Sequence, residues 1–306
     1  MKNRLEQLRE EGFRFVENGY ANKRYADALD QLSEANFSFT FRDYYNKGYF
    51  SEQMQFNSLM SGDEVVSHIS VSQQPILYRG KSLNSVQLGT VMTAASFRKR
   101  GLSGLLMDKV LKEWDSKSDF IFLYANDSVL DYYPKFGFKP VKEYKMVSDS
   151  YLFRNAEERS YSSLDFKNKA DIELFDRVVS NAAPIYNLSF TNNRNLSFFY
   201  CDCFQAFNEH MFYFEEYDAI VIAYQEENTL TLLEVITTRK DVPYPAIINS
   251  LANESTERVE LIFVVSDWTE FDVVEHKEDD STLMVRKKGE SIFETDRLCI
   301  STLSHT

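Results

Sequence analysis

The sequence has no apolar run long enough to cross a bilayer, and its opening stretch, MKNRLEQLREEGF, has no apolar core of a secretory signal. Only three cysteines occur, Cys201, Cys203 and Cys299, an odd number without a disulfide framework. These absences make the reducing cytoplasm the expected location. Cys201-x-Cys203 is half of a metal-binding spacing, but no second pair follows and His210 alone does not complete one, so no metal is expected. Excess positive charge is absent too. The formal charge is −13, which argues against nucleic acid or an anionic membrane as a partner. There is no short internal repeat, no Walker loop ending in Gly-Lys-Ser/Thr, and no G-x-G-x-x-G turn.

What is present is a soluble-type composition, 43% hydrophobic and 26% charged, in a chain of 306 residues. That length is about twice a usual single domain, so two domains are expected, 1–150 and 151–306, joined through the polar stretch Ser148–Ser163. The charge divides at the same place. Residues 1–150 carry 20 Lys/Arg against 19 Asp/Glu, and residues 151–306 carry 14 against 28. An acidic half steers cationic ligands. The 25 phenylalanines and 18 tyrosines suggest aromatic-rich sheets and an aromatic-lined pocket.

Periodicity predicts an α+β chain with mixed sheets. A strand at Phe13–Val16, a helix at Lys23–Ala35 and an aromatic helix near Phe41–Phe50 precede three strands, Gln53–Met60, Glu64–Pro75 and Ser85–Thr93. A helix carrying Leu102, Leu105, Leu106, Val110, Leu111 and Trp114 on one stripe follows, then strands at Phe120–Tyr124 and Lys142–Val147. In the second half, helices are expected at Asp171–Ala182, Asn192–Phe207 and Pro245–Ala252. Strands are expected at Met211–Tyr213, Ala219–Tyr224, Thr229–Thr237, Val259–Val265, Leu283–Arg286 and Ser291–Phe293. The order meander, helix, strand, strand thus occurs in both halves and hints at a duplication.

The specific signal lies between Val91 and Phe138. A β-branched run ends in Arg98-Lys99-Arg100-Gly101-Leu102-Ser103-Gly104, directly before the striped helix. Free amides at a helix start, together with the helix dipole, hold a pyrophosphate. Gly101 and Gly104 let the backbone approach closely. An ordinary surface turn with basic residues would read the same way.

Arg98-x-x-Gly101-x-Ser103 resembles the acyl-coenzyme A loop of the GCN5-related N-acetyltransferase (GNAT) superfamily, with serine in the small-residue place. Asn126, Tyr133, Gly137 and Phe138 stand in the register of that superfamily's second motif. The resemblance covers roughly residues 13–147 and implies an acyltransferase fold that takes acetyl-coenzyme A as co-substrate. It further implies that backbone groups of Val91, Met92 and Thr93 pair with the pantetheine arm, with the amide of Met92 or Val91 polarising the thioester carbonyl. Arg98, Lys99, Arg100, Gly101, Leu102, Ser103 and Gly104 would cradle the pyrophosphate. Asn126 would bond the pantetheine or set the loop, and Tyr133 would protonate the leaving thiolate. A structural alternative has Tyr132 or Tyr133 merely packing over the sheet edge.

The base that deprotonates the amine is less legible. His68 on the third strand is one candidate, and Asp131 and Glu64 are others. The carboxylate of Thr306 is a further one, because the chain resembles acetyltransferases of the enhanced-intracellular-survival type, which pair a tyrosine acid with the C-terminal carboxylate. The second half has no glycine loop; its meander runs into Thr237-Thr238-Arg239-Lys240-Asp241-Val242-Pro243. It resembles the degenerate GNAT-like domain of that type and of mycothiol synthase, with an unrelated α+β or sterol-carrier-like domain as the competing reading. The expected activity is N-acetylation of a small cationic amine or a protein lysine through a tetrahedral intermediate. The alternative is a non-catalytic acyl-coenzyme A sensor. A homo-oligomer is compatible with the chain.

Overall fold

The computed structural model describes residues 7–149, 152–266 and 268–305. Two mixed sheets organise them. The first runs β1 (Phe13–Glu17), β2 (Met54–Ser61), β3 (Glu64–Tyr78), β4 (Lys81–Thr93), β5 (Phe120–Ala125), then β15 (Thr282–Arg286) and β6 (Lys139–Pro140). β9 (Leu188–Phe190) pairs with the far end of β3. The second sheet runs β14 (Asp272–His276), β7 (Glu143–Asp149), β13 (Arg258–Leu261), β12 (Thr229–Thr237), β11 (Ala219–Glu226), β10 (Met211–Phe214) and β8 (Ser162–Ser163). Pairing is antiparallel except at β4–β5 and β12–β13.

Helices α1 (Lys23–Phe37), α2 (Arg42–Asn46) and α3 (Leu102–Trp114) serve the first sheet. The later ones are α4 (Lys169–Ser180), α5 (Arg194–Phe198), α6 (Tyr244–Leu251) and α7 (Ile292–Thr295). The α1 start is set by Asn22, whose side chain accepts from the amides of Arg24 and Tyr25 at 3.0 and 3.3 Å. α3 buries Leu102, Leu106, Met107, Val110, Leu111 and Trp114 against the sheet, each worth roughly 1.5–3 kcal/mol of apolar transfer. Leu105, expected on that stripe, is only half-buried.

The expected boundary near residue 150 does not separate the sheets. The strand at residues 142–147, read as the end of the first domain, is β7 and lies in the second sheet beside β13. The strand from residue 283, read as part of the second half, is β15 and lies in the first sheet beside β5. Each half thus lends the other the strand next to its parallel pair. A short strand buried at its centre on both faces fits either sheet, so local pattern does not choose its partner.

Other departures are local. Only residues 42–46 of the aromatic stretch 41–50 are α-helical. Residues 291–293 are not strand but the start of α7, where Ser291 and Glu294 form a reciprocal capping box. Residues 199–203 continue α5 as a π-turn that carries Cys201 and Cys203. Among the described residues, no helix is long and apolar enough to cross a membrane.

Candidate active site

The parallel ladder between β4 and β5 has three register pairs and ends at Gln87–Phe122. Beyond it the strands diverge, and the gap opens into a cavity of about 1120 Å³. A bulge in β4 marks the divergence: Ser70 faces Gly89 and His68 faces Met92, so Thr90 and Val91 together oppose Ile69. Thr90 sits at φ 42°, a left-handed conformation that a β-branched residue adopts only under constraint, and its hydroxyl donates to Ser70 Oγ at 2.9 Å. The Gly89-Thr90 step inside a strand was the available sequence signal for this bulge.

The basic turn lies at one end of the cavity. Lys99 (φ 63°) and Gly101 (φ 76°) are left-handed, and Gly101 precedes α3 without a side-chain cap. The first bond of α3 runs from the Leu105 amide to the Gly101 carbonyl at 3.1 Å, so the amides of Leu102, Ser103 and Gly104 precede the helical ladder. Gly101, Leu102, Ser103 and Gly104 line the cavity, as do Arg98 and Lys99. Arg98 is braced by Nε–H donation to the Thr93 carbonyl and by Asn36 Oδ1, both at 3.1 Å. Arg100 turns the other way. Its guanidinium lies over the rings of Phe13 and Phe97, 3.9 Å from Glu11, and it is not among the lining residues.

Val91 and Thr93 line the cavity, whereas Met92 is buried in the core beneath α1. Strand alternation sends 91 and 93 to one face and 92 to the other. Asn126 lines the cavity, but its amide nitrogen donates to Asp280, to Oδ2 at 3.1 Å and to the carbonyl at 3.3 Å. The Asp127 amide donates to Asp280 Oδ1 at 2.8 Å. Tyr133 also lines the cavity and is mostly buried; burial pushes its phenol up to about 12, so it stays protonated. Its neighbour Tyr132 shares a 2.7 Å hydrogen bond with Ser103.

His68 does not reach the cavity. It is fully buried one layer behind, against the rings of Phe41 and Phe56, with Nδ1 2.8 Å from Ser58 Oγ. Burial pushes its pKa down to about 3, so it is held neutral as a packed core histidine. Asp131 and Glu64 are not on the cavity wall either. Thr306 lies outside the described residues.

The second half completes the wall, which local sequence reasoning did not resolve by residue. Leu196, Phe199, Tyr200 and Phe204 line the cavity together with Phe37, Phe39 and Phe41, with Phe39 packed edge-on against Phe199 and Phe204, and Asp279–Ser281 line it too. Tyr124 of β5 also lines it; its hydroxyl donates to Glu143 Oε1 of β7 at 3.0 Å. β15 holds both motif segments in place. Asp280 before it grips Asn126 and Asp127. Arg286 at its end pairs with Asp115 (2.9 and 2.6 Å) and donates to the Phe136 carbonyl. Gly137 (φ 80°) leaves room for that guanidinium, because a Cβ there would stand 2.5 Å from Arg286.

A family model described as an acetyltransferase (GNAT) domain matches residues 7–141. No curated protein matches the chain by sequence. Among solved structures, a GCN5-related N-acetyltransferase from Kribbella flavida is 18% identical with a TM-score of 0.54. The alignment covers 89% of this chain and 70% of that one. Eis1 from Mycobacterium abscessus is 14% identical at a TM-score of 0.56, with 89% and 73% covered. A probable N-acyltransferase from Enterococcus faecalis V583 is 11% identical at 0.56, with 90% and 72% covered. These identities speak for the fold alone.

Proposed function

Because residues 7–141 match an acetyltransferase (GNAT) domain, we propose that this chain transfers the acetyl group of acetyl-coenzyme A to a primary amine in the cytoplasm. The observation that carries the reading is convergence. The left-handed turn Lys99–Gly101, the open edge of β4 and the protonated phenol of Tyr133 border one cavity. In this reading the amides at the start of α3, with Arg98 and Lys99, hold the pyrophosphate. Backbone groups of the bulged segment near Val91 and Thr93 hold the pantetheine and polarise the thioester carbonyl. Tyr133 donates a proton to the departing sulfur.

The acceptor is read as a small cationic amine with an apolar body, or a lysine side chain. The lining supports this: phenylalanines and Tyr200 offer apolar and π surface, and Asp279 is acidic. Thiol release from acetyl-coenzyme A with a mixed panel of polyamines, aminoglycosides and lysine peptides tests the reading. Turnover with at least one amine is expected. Tight binding of the coenzyme with no turnover across the panel would favour a sensor instead.

A further inference from the structure

We infer that Tyr124 and Glu143 are the proton acceptor for the incoming amine, with Tyr124 touching the nitrogen and Glu143 receiving the proton behind it. This rests on the acetyltransferase reading and supplies the base that reading lacks. The geometry comes from strand alternation. Ile121, Leu123 and Ala125 face the core beneath α3, where Tyr133 also packs, while Phe120, Phe122 and Tyr124 face the opposite side. The expected acid and Tyr124 therefore approach the β4–β5 gap from its two faces. Tyr124 lies on the side walled by Tyr200 and the second half, where an acceptor would enter.

The hydroxyl of Tyr124 is 3.0 Å from Glu143 Oε1, and the same oxygen accepts from the Ile300 amide at 2.9 Å. Two donors and the ring stacked 3.9 Å away, His305, hold this pair in one arrangement. Tyr124 cannot act alone: burial and the adjacent Glu143 hold its phenol well above the usual range. It can only pass a proton on. Glu143 can take one, because burial pushes its carboxyl up to about 7, where a base at neutral pH works best. The other titratable groups facing the pair are Glu278, raised by burial, the buried thiol of Cys299, and His305, kept neutral by burial beside His276.

The step balances. An ammonium proton moves to Tyr124 Oη as the Tyr124 proton moves to Glu143. The freed lone pair forms the C–N bond, and the C–S bond breaks as Tyr133 protonates sulfur. Glu143 releases its proton to water, and the second nitrogen proton restores Tyr133 through solvent.

The test uses the full chain, acetyl-coenzyme A and an amine that the wild type acetylates. Wild-type kcat/KM should fall tenfold per pH unit below about 7. Glu143→Gln should lower kcat/KM at pH 7 about 100-fold, move the acid limb to the amine's own pKa, and leave the KM for acetyl-coenzyme A unchanged. Tyr124→Phe, which keeps the ring stack, should do the same. With 2,2,2-trifluoroethylamine, already neutral at pH 7, both defects should shrink to within a few-fold. Wild-type turnover with Glu143→Gln within threefold at every pH would overturn the inference and leave the acetyltransferase reading standing. Absence of wild-type turnover with every amine would overturn both. Infrared titration reads Glu143 without turnover: the wild-type minus Glu143→Gln difference, in which the band of Glu234 cancels, should show a protonated carboxyl lost near pH 7, and full ionisation at pH 5 in that difference would overturn the inference.

Discussion

The two halves of the molecule share a plan and differ at one gap. In each, an antiparallel meander leads through a helix to a parallel strand, and the strand before the helix carries a bulge: Thr90 and Val91 in β4, Leu233 in β12. In each, the parallel ladder then stops, at Gln87–Phe122 and at Leu232–Leu261. In the first half the space beyond is a cavity. In the second it is filled by Tyr186, whose hydroxyl accepts from the Val235 amide and donates to the Val235 carbonyl, both at 2.7 Å, while its ring stacks on Phe263. The helix-start turns differ in the same sense. Gly101 opens α3, whereas the turn before α6 is closed by an Arg239–Asp241 ion pair and Pro243. A splayed strand pair must satisfy its exposed backbone groups with something. One half leaves them facing a cavity, and the other satisfies them with its own side chain.

Separating the halves should do the most damage. A chain ending at residue 150 loses β15 and, with it, the bonds from Asp280 and Arg286 that hold Asn126 and the Tyr133–Gly137 turn. It should fail to fold cooperatively, seen as loss of a sharp thermal transition and of dispersed amide resonances. Next in size, Tyr133→Phe should lower kcat by about 10²–10³-fold with little change in coenzyme affinity, measured by calorimetry.

The third concerns the filled gap. Burial pushes the Glu234 carboxyl up to about 7, beside Ser301 and Tyr186. A carboxyl whose folded pKa is raised binds its proton more tightly in the native state. Its contribution is therefore complete below the unfolded pKa of about 4.3 and lost as pH rises through about 7. Stability should decline by about 3 kcal/mol across that window, and Glu234→Gln should flatten the decline in denaturant titrations at pH 5 and pH 8. The smallest effect is Thr90→Gly. Relief of the left-handed Thr90 should stabilise the fold by about 1 kcal/mol, while loosening the bulge should lower kcat/KM; a higher midpoint with undiminished activity would mean the bulge does no positioning.

The chemistry-bearing stretch was legible because its signals are local. The α3 stripe, the turn Arg98–Gly104 and the spacing Asn126, Tyr133, Gly137 each depend on residues within a few turns of one another, and α3, the turn and Tyr133 all meet at the cavity. Arg100 was misplaced by the same reasoning, since charge and position in the chain do not say which way a side chain turns. His68 was misplaced because a strand histidine reads alike whether it faces a cavity or two phenylalanines.

The residue pattern alone thus carried the resemblance of residues 7–141 to an acetyltransferase (GNAT) domain and the helix-start turn, and it put Tyr133 in a stretch that lines the cavity. Only the tertiary structure decided which sheet received β7 and β15, and through them the meeting of Tyr124 with Glu143 and of Asn126 with Asp280. The reason is physical. Helix faces and turns are set by neighbours in the chain, but strand partners are chosen by burial and register against every competing edge, and no single segment carries that choice.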